Sequence, residues 1–387
     1  MNIKMVDLGG QYLKIKDEID TSIQHVINTT QFISGAKVKE FAKNLANFHS
    51  VNNAITCANG TDALQISFMA LDLKPLDEVI VPAFTYVATA EVIALLGLTP
   101  VLVDVDWDTF NIDVSKIEEA ITPRTKAIVP VHLFGQCANM CEIMRIANKY
   151  NLYVIEDNAQ SIGAVYTPSE SGYLKESAKS GTIGTIGCTS FFPSKNLGAY
   201  GDGGAMTTND DSLAKKLNCI ANHGQEVKYH HSMVGCNSRL DTIQAAVLDI
   251  KLNYLNDYIS SRQQAAQFYL EELKDLEGIE LPVTAPYSTH VYHQFTIKVK
   301  DGKRDALKAF LAEREIPTMI YYPLPLQDQK AYMSIAKVAG GKDAKDGADL
   351  LSNSTNLAKC VLSLPMHTEL TEEQLNYICK GIKAFYR

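Results

Sequence analysis

Residues Glu78–Asp106, EVIVPAFTYVATAEVIALLGLTPVLVDVD, decide the fold. A short apolar run, Glu78–Pro82, has the length and β-branched content of a strand buried on both faces. Ala88–Leu98 then repeats apolar residues at helical spacing, and Pro100–Asp106 returns to a Val-rich run. Strand, helix, strand within so short a span is the unit of a parallel sheet covered by helices. Working outward, Ala127–Leu133, Tyr153–Asp157 and Ser190–Pro193 read as further strands, and Ala205–Thr208 as an edge strand of different direction. Asp62–Leu71 and Met140–Tyr150 read as helices between them. The expected fold class is therefore α/β, with a mainly parallel sheet. In such sheets ligands bind beyond the carboxyl ends of the strands, so the residues just after each strand are the first candidates for chemistry.

The chain has 387 residues, of which 46% are hydrophobic. A single core rarely grows beyond roughly 250–300 residues, so two domains are expected. A helical stripe through Ile243, Ala246, Val247, Ile250 and Tyr254 places the boundary near residue 255: a large domain, 1–255, with an N-terminal arm, and a smaller α+β domain, 256–387. The smaller one should hold a second charged helix, the strand His293–Val299, and helices at Arg304–Glu313 and near Glu372–Phe385. Residues 168–182 are polar and rich in Gly and Ser, which reads as an exposed loop or hairpin. A net charge of −8 gives no basic footprint for nucleic acid or an anionic membrane. Lacking a long apolar run or a signal-peptide start, the chain is expected to be cytoplasmic. Its eight scattered cysteines then read as reduced core residues. Cys137 and Cys141 have helix-face spacing but no second pair, so no metal is expected.

The chemistry concentrates at Ser190–Met206, SFFPSKNLGAYGDGGAM. Lys195 follows a strand-like run and precedes a glycine-rich loop, which puts an amine where a ligand at the sheet edge can be reached. Covalent carbonyl chemistry needs that amine neutral part of the time, and desolvation or nearby positive charge provides this. Asp157, ending the strand in VIEDNAQSIGA, is placed to keep the ring nitrogen of a pyridine cofactor protonated; a helix N-cap is the structural alternative. Glu156 alternates to the other face and reads as a structural ion pair. Asn59-Gly60-Thr61-Asp62 turns into a helix whose free N–H groups suit a phosphate. Each of the three signals is weak alone, and on loops of one sheet they are less weak together.

CANGTDAL, PAFTYVATAE, PVHLFGQ, VIEDNAQSIGA, TSFFPSKNLGAYGDGGA, NSRLDTIQAA and YYPLPL occur in the order found in sugar-nucleotide aminotransferases. The sequence resembles the DegT/StrS type of fold-type I pyridoxal-phosphate (PLP) enzymes from about residue 5 to the C-terminus. Within it the resemblance is strongest to the 3-aminotransferases of a UDP-linked 3-keto-N-acetylglucosaminuronic acid. It implies a seven-stranded type of central sheet and a homodimer with shared active sites. Lys195 becomes the Schiff-base lysine, Asp157 the partner of the pyridine nitrogen, and Gln160 a contact to the ring face or its hydroxyl. Gly60, Thr61 and Ser190 become phosphate ligands, Tyr86 stacks on the ring, and Asn237 reaches the phosphate of the neighbouring subunit. Arg239, two residues on, should face the same cleft and suits a carboxylate. Tyr321 and Tyr322 belong to the substrate end, Tyr321 standing where many relatives carry His, and the 168–182 loop is longer than usual and expected near the same end.

The expected activity is transfer of an amino group from L-glutamate to a 3-keto sugar nucleotide, for polysaccharide or lipopolysaccharide synthesis. A 3- or 4-aminotransferase on a neutral dTDP- or UDP-keto-deoxysugar, and a PLP-binding regulator on the same fold, stay open beside it. No P-loop or dinucleotide motif is present. His223, His230 and His231 read as polar surface or substrate-side residues, Trp107 as packing, and the Phe191-Phe192 pair as sheet core.

Overall fold

The computed structural model describes residues 2–344 and 346–387. Seven strands form the large sheet: β1 Asn53–Cys57, β2 Glu78–Pro82, β3 Thr99–Val103, β4 Thr125–Ile128, β5 Tyr153–Asp157, β6 Ile186–Ser190 and β7 Gly204–Thr208. They lie in the order β1-β7-β6-β5-β4-β2-β3. All run parallel except β7, which pairs antiparallel with both of its neighbours. Successive residues of β2 feed opposite faces: Val79 and Val81 join one apolar core and Ile80 the other. Helices cover both faces, among them Gly60–Ala70 and Ala88–Leu95 on one, and Ala36–His49 and Met140–Tyr150 on the other. An unbroken apolar run such as Glu78–Pro82 is what burial on both faces demands.

Three expectations about strands change. Ser190–Pro193 is not a strand; β6 ends at Ser190, and Phe192 is 52% exposed while Phe191 is buried, so the pair does not share the core. β7 has the reversed direction expected of it but is no edge: β1 pairs with its far side. Pro100–Asp106 and Ala127–Leu133 both end earlier than expected, at Val103 and Ile128, the second interrupted at Pro130 although Val131 still bridges Asp157.

The helices Thr242–Asn253 and Leu255–Leu273 follow, joined at Tyr254. A three-stranded antiparallel sheet comes next, β8 Ile279–Glu280, β9 Phe295–Val299 and β10 Val361–Leu364, with helices Arg304–Ala312 and Glu372–Phe385 packed on its core. Leu326, Tyr332, Ala336 and Val338, although late in the chain, pack into the core of the large sheet. Residues 168–182 lie in a hairpin whose short strands are Val165–Tyr166 and Ala178–Lys179. It packs near Cys141, and Thr167 N donates to Tyr287 O at 2.8 Å, while its root at Ser180 and Gly181 is bonded by Asn158 and Glu156 behind the end of β5. No described helix is long and apolar enough to cross a membrane.

Candidate active site

The carboxyl ends of β5 and β6, the turn after β1 and the loop after β2 converge at one edge of the large sheet. From β5 comes Asp157, 6% exposed. Its carboxylate accepts from Thr89 Oγ1 at 2.8 Å and from Ala159 N at 3.1 Å, and among the described residues no cation is bonded to it. Burial raises its pKa above the usual carboxylate range, against these two bonds and the nearby charge of Lys195. Thr89 was missed in the sequence, where nothing in its spacing marks a contact with Asp157, 68 residues away.

Lys195 lies in a turn held from several sides. Its own N–H reaches Phe192 O at 2.8 Å, Ala199 N reaches Phe191 O at 2.8 Å, and Lys251 Nζ reaches Gly198 O at 2.5 Å. Asn196 Nδ2 ties the turn to Val291 O at 3.1 Å. Desolvation lowers the Lys195 amine to about 8, and the charge of Asp157 opposes that shift only in part. The sign of the consequence is fixed: the amine is mostly neutral, and nucleophilic, above about pH 8. Cofactor capture by cofactor-free protein is therefore expected to accelerate up to about pH 8 and then level off. Stopped-flow capture rates that keep rising towards pH 10, as an unperturbed lysine requires, would contradict this.

The helix Gly60–Ala70 points its first turn at the same place. Asn59 caps it by accepting from Asp62 N at 2.8 Å, and the N–H groups of Gly60 and Thr61 precede the first intrahelical bond, Ala63 N to Asn59 O. A Cβ on Gly60 would come within 2.6 Å of Ser190 Cβ, and one on Gly204 within 2.3 Å of Asn59 O. Glycine is thus what lets strand end, helix start and β7 meet in an anion cradle, with the Ser190 hydroxyl at its rim.

Gln160 Oε1 accepts from Phe134 N at 2.7 Å, and its amide Nε2 donates to Tyr322 OH at 3.0 Å. The Tyr322 ring lies between Phe84 and Tyr86, with centroid distances of 5.9 and 6.2 Å. Tyr86 itself is 57% exposed, an aromatic face open at the mouth of the site. Tyr321 adjoins Tyr322 edge-on at 6.0 Å. Lys195, Asp157, Gly60, Thr61, Ser190, Gln160, Tyr86, Tyr321 and Tyr322 are therefore brought to one edge of the sheet.

Asn237 and Arg239 are placed differently. Asn237 is exposed and bridges Asn222, while Ser238 between them accepts from Ala58 N at 3.0 Å. Arg239 is half-buried and lines a cavity of about 240 Å³ with Lys39 and Asn222. Among the described residues it pairs with neither Asp202 nor Asp241.

Glu156 is the buried anion of the region. Burial would raise its pKa, but His132 Nε2 at 2.8 Å and the N–H groups of Gly181, Ile183 and Gly184 at 2.6–2.8 Å outweigh that and hold it low. Ala138 N donates to His132 Nδ1, which places the ring proton on Nε2. Glu156 thus anchors the root of the 168–182 hairpin on the face opposite Asp157. Trp107 packs as expected, donating to Glu280 at 3.0 Å beneath the Lys298 ammonium. Cys137 precedes the helix that carries Cys141, so the two do not share a helix face. His230 and His231 sit on an exposed hairpin, and no group of metal-ligating side chains occurs among the described residues.

The buried carboxyl, the depressed lysine and the glycine cradle fit a flat, phosphorylated pyridine aldehyde. Comparison with known proteins agrees. The pattern of the DegT/DnrJ/EryC1/StrS aminotransferase family matches residues 13–383. A Pseudomonas aeruginosa protein named UDP-2-acetamido-2-deoxy-3-oxo-D-glucuronate aminotransferase is 46% identical over 98% of this chain and 99% of its own. An Acidithiobacillus ferrooxidans UDP-N-acetyl-3-dehydro-α-D-glucosamine 3-aminotransferase is 43% identical, over 98% and 97%. The Bacillus subtilis protein NtdA, solved with its bound cofactor PMP, superposes with a TM-score of 0.84 at 33% identity, covering 96% of this chain and 82% of that one.

Proposed function

The chain belongs to the DegT/DnrJ/EryC1/StrS aminotransferase family and is a PLP-dependent sugar-nucleotide aminotransferase; from that premise we propose that it moves the amino group of L-glutamate to C3 of UDP-2-acetamido-2-deoxy-3-oxo-D-glucuronate. The observation that carries the substrate is Arg239, a half-buried guanidinium that shares a cavity lining with Lys39 and has no carboxylate bonded to it among the described residues. The near-full-length likeness to an enzyme named for that uronic sugar supports it.

Bound PLP supplies an electron sink for the carbanion at the donor's α-carbon. Gly60, Thr61 and Ser190 would hold its phosphate, Asp157 would hold positive charge at the ring nitrogen, and Tyr86 and Gln160 would contact the ring. Lys195 Nζ would hold the cofactor until the amine of L-glutamate displaces it and, freed by that exchange as a neutral amine, would take up and hand on the donor's α-proton. L-Glutamate leaves as 2-oxoglutarate before the keto sugar enters. Tyr321 and Tyr322 close the sugar end. Asn237 and Arg239 act on the neighbouring subunit of a homodimer, which the exposure of Asn237 on a chain of this fold supports. All eight cysteines are free, in keeping with a cytoplasmic enzyme.

A neutral 3-keto sugar is the second reading, favoured by the relative named for a 3-dehydroglucosamine. One experiment separates them: incubate the protein with L-glutamate and a panel of UDP- and dTDP-keto sugars, and follow amination by mass spectrometry. Amination of the uronic sugar is the expected result, and amination of neutral sugars alone would refute it. Arg239→Lys sharpens the test. It should keep the dimer and the bound cofactor yet lose about 1.5–3 kcal/mol of transition-state stabilisation on the uronic sugar, since lysine cannot form the two parallel bonds. The matching 3-keto hexose should lose less. Equal losses on both would assign Arg239 a structural role.

A further inference from the structure

The turn Phe134–Gly135 lies between the two sides of the site and has a geometry few residues can adopt. Phe134 has φ 58° and Gly135 φ 122°. A Cβ at Gly135 would come within 2.8 Å of Tyr292 N and 2.9 Å of His293 N, which are backbone atoms with little room to give. The turn is thus pressed directly against the segment 290–294 that leads into β9.

Its hydrogen bonds run in both directions. Phe134 N donates to Gln160 Oε1 at 2.7 Å, and Gln294 N donates to Phe134 O at 3.2 Å. Val291 N donates to Gly135 O at 2.8 Å, while Val291 O accepts from Asn196 Nδ2 at 3.1 Å. Asn196 is the neighbour of Lys195. A continuous path therefore joins Gln160 on one side of the site to the lysine turn on the other, by way of Phe134, Gly135 and Val291. Side-chain packing fixes the turn as well: the Phe134 ring meets Phe110 edge-on at 5.1 Å, and Leu133 N donates to Asn111 Oδ1 at 2.9 Å.

We infer that Phe134–Gly135 is a positioning element of the reaction, setting the place of Gln160 relative to Lys195 through the 290–294 segment. Resting on the aminotransferase reading, it adds residues that touch neither substrate nor cofactor. Near-attack geometry is steep: a displacement of about 1 Å remote from the chemistry can cost on the order of 100-fold in rate. A side chain at Gly135 would push 290–294 away and draw Gln160 and Asn196 with it, leaving Asp157 and the phosphate cradle in place.

The path is tested first without cofactor, by hydrogen exchange on the cofactor-free full chain. Gln160→Ala removes the acceptor of Phe134 N–H, and exchange is expected to quicken there and also at Val291 and Gln294, which Gln160 does not touch. Quickening confined to Phe134 would overturn the proposal. Gly135→Ala is then expected to capture PLP on Lys195 as the parent does, with kcat per bound cofactor for the L-glutamate half-reaction lowered about 10–100-fold and KM unchanged. An unchanged kcat would also overturn it. Should Gly135→Ala not fold, Asn196→Ala breaks only the last bond, and its combination with Gln160→Ala should cost less than the product of the single fold-losses. Losses that simply multiply would count against the path. Failure of the parent chain to convert L-glutamate would refute the aminotransferase reading instead, and the exchange result on cofactor-free protein would still decide the proposal.

Discussion

Lys195→Ala is expected to abolish both turnover and covalent capture of PLP, the largest effect of any single substitution in this chain. The amine serves as attachment point and as the base that moves the α-proton, so its loss removes two functions at once. Phosphate contacts at Gly60, Thr61 and Ser190 do not depend on it, so the variant should still bind the cofactor noncovalently, as equilibrium dialysis would show. No other described lysine stands in a comparable place. Lys251, also lowered to about 8 by burial, is spent on Gly198 O beneath the loop. The same variant tests the shared site. Mixed with Asn237→Ala chains, which keep Lys195, it should regain up to one intact site per heterodimer. Full activity of Lys195→Ala alone would refute the mechanism, and absence of any regain on mixing would refute the shared site.

Asp157→Asn is expected to come second, with kcat falling on the order of 100- to 1000-fold while capture on Lys195 persists. The substitution is nearly isosteric, and a side-chain oxygen can still accept from Thr89 Oγ1 or Ala159 N. What it removes is charge. The carboxyl sits where burial disfavours ionisation, so it gains most from a cation brought against it, and a protonated ring nitrogen is such a cation. An amide cannot stabilise that proton. Asparagine should therefore slow α-proton removal, which needs the electron sink, far more than attachment, which does not. Single-turnover spectra with L-glutamate separate the two steps. A rate within the error of the parent's would show that Asp157 only holds the turn at Ala159 and the Thr89 hydroxyl.

Much of the fold was legible because burial on both faces leaves strong signatures. Glu78–Pro82 and Tyr153–Asp157 were read to the residue. Two strands escaped for one reason: β1, Asn53–Cys57, mixes Asn and Thr with its apolar residues, and β6, Ile186–Ser190, carries Gly, Cys, Thr and Ser where an apolar run was sought. These strands border β7, and their pairing rather than their composition makes them strands. Lys195 and Asp157 could be argued from position after a strand. Gln160, Tyr86, Asn237 and Arg239 came through family resemblance, because a contact between loops distant in sequence leaves no periodicity to read. Thr89 and the Phe134–Gly135 turn were invisible for a related reason. A hydroxyl facing Asp157 and a left-handed phenylalanine are set by tertiary packing alone.

Lys195 is expected to hold PLP at the end of this sheet and to pass an amino group through it. The most direct test is to load the intact protein with PLP, reduce it with borohydride, digest it and map the modified peptide by mass, with and without prior L-glutamate. A phosphopyridoxyl group is expected on Lys195 alone, and its loss when L-glutamate is added first should be accompanied by one equivalent of 2-oxoglutarate per site. A label on any other lysine, or one on Lys195 that L-glutamate leaves untouched, would contradict it.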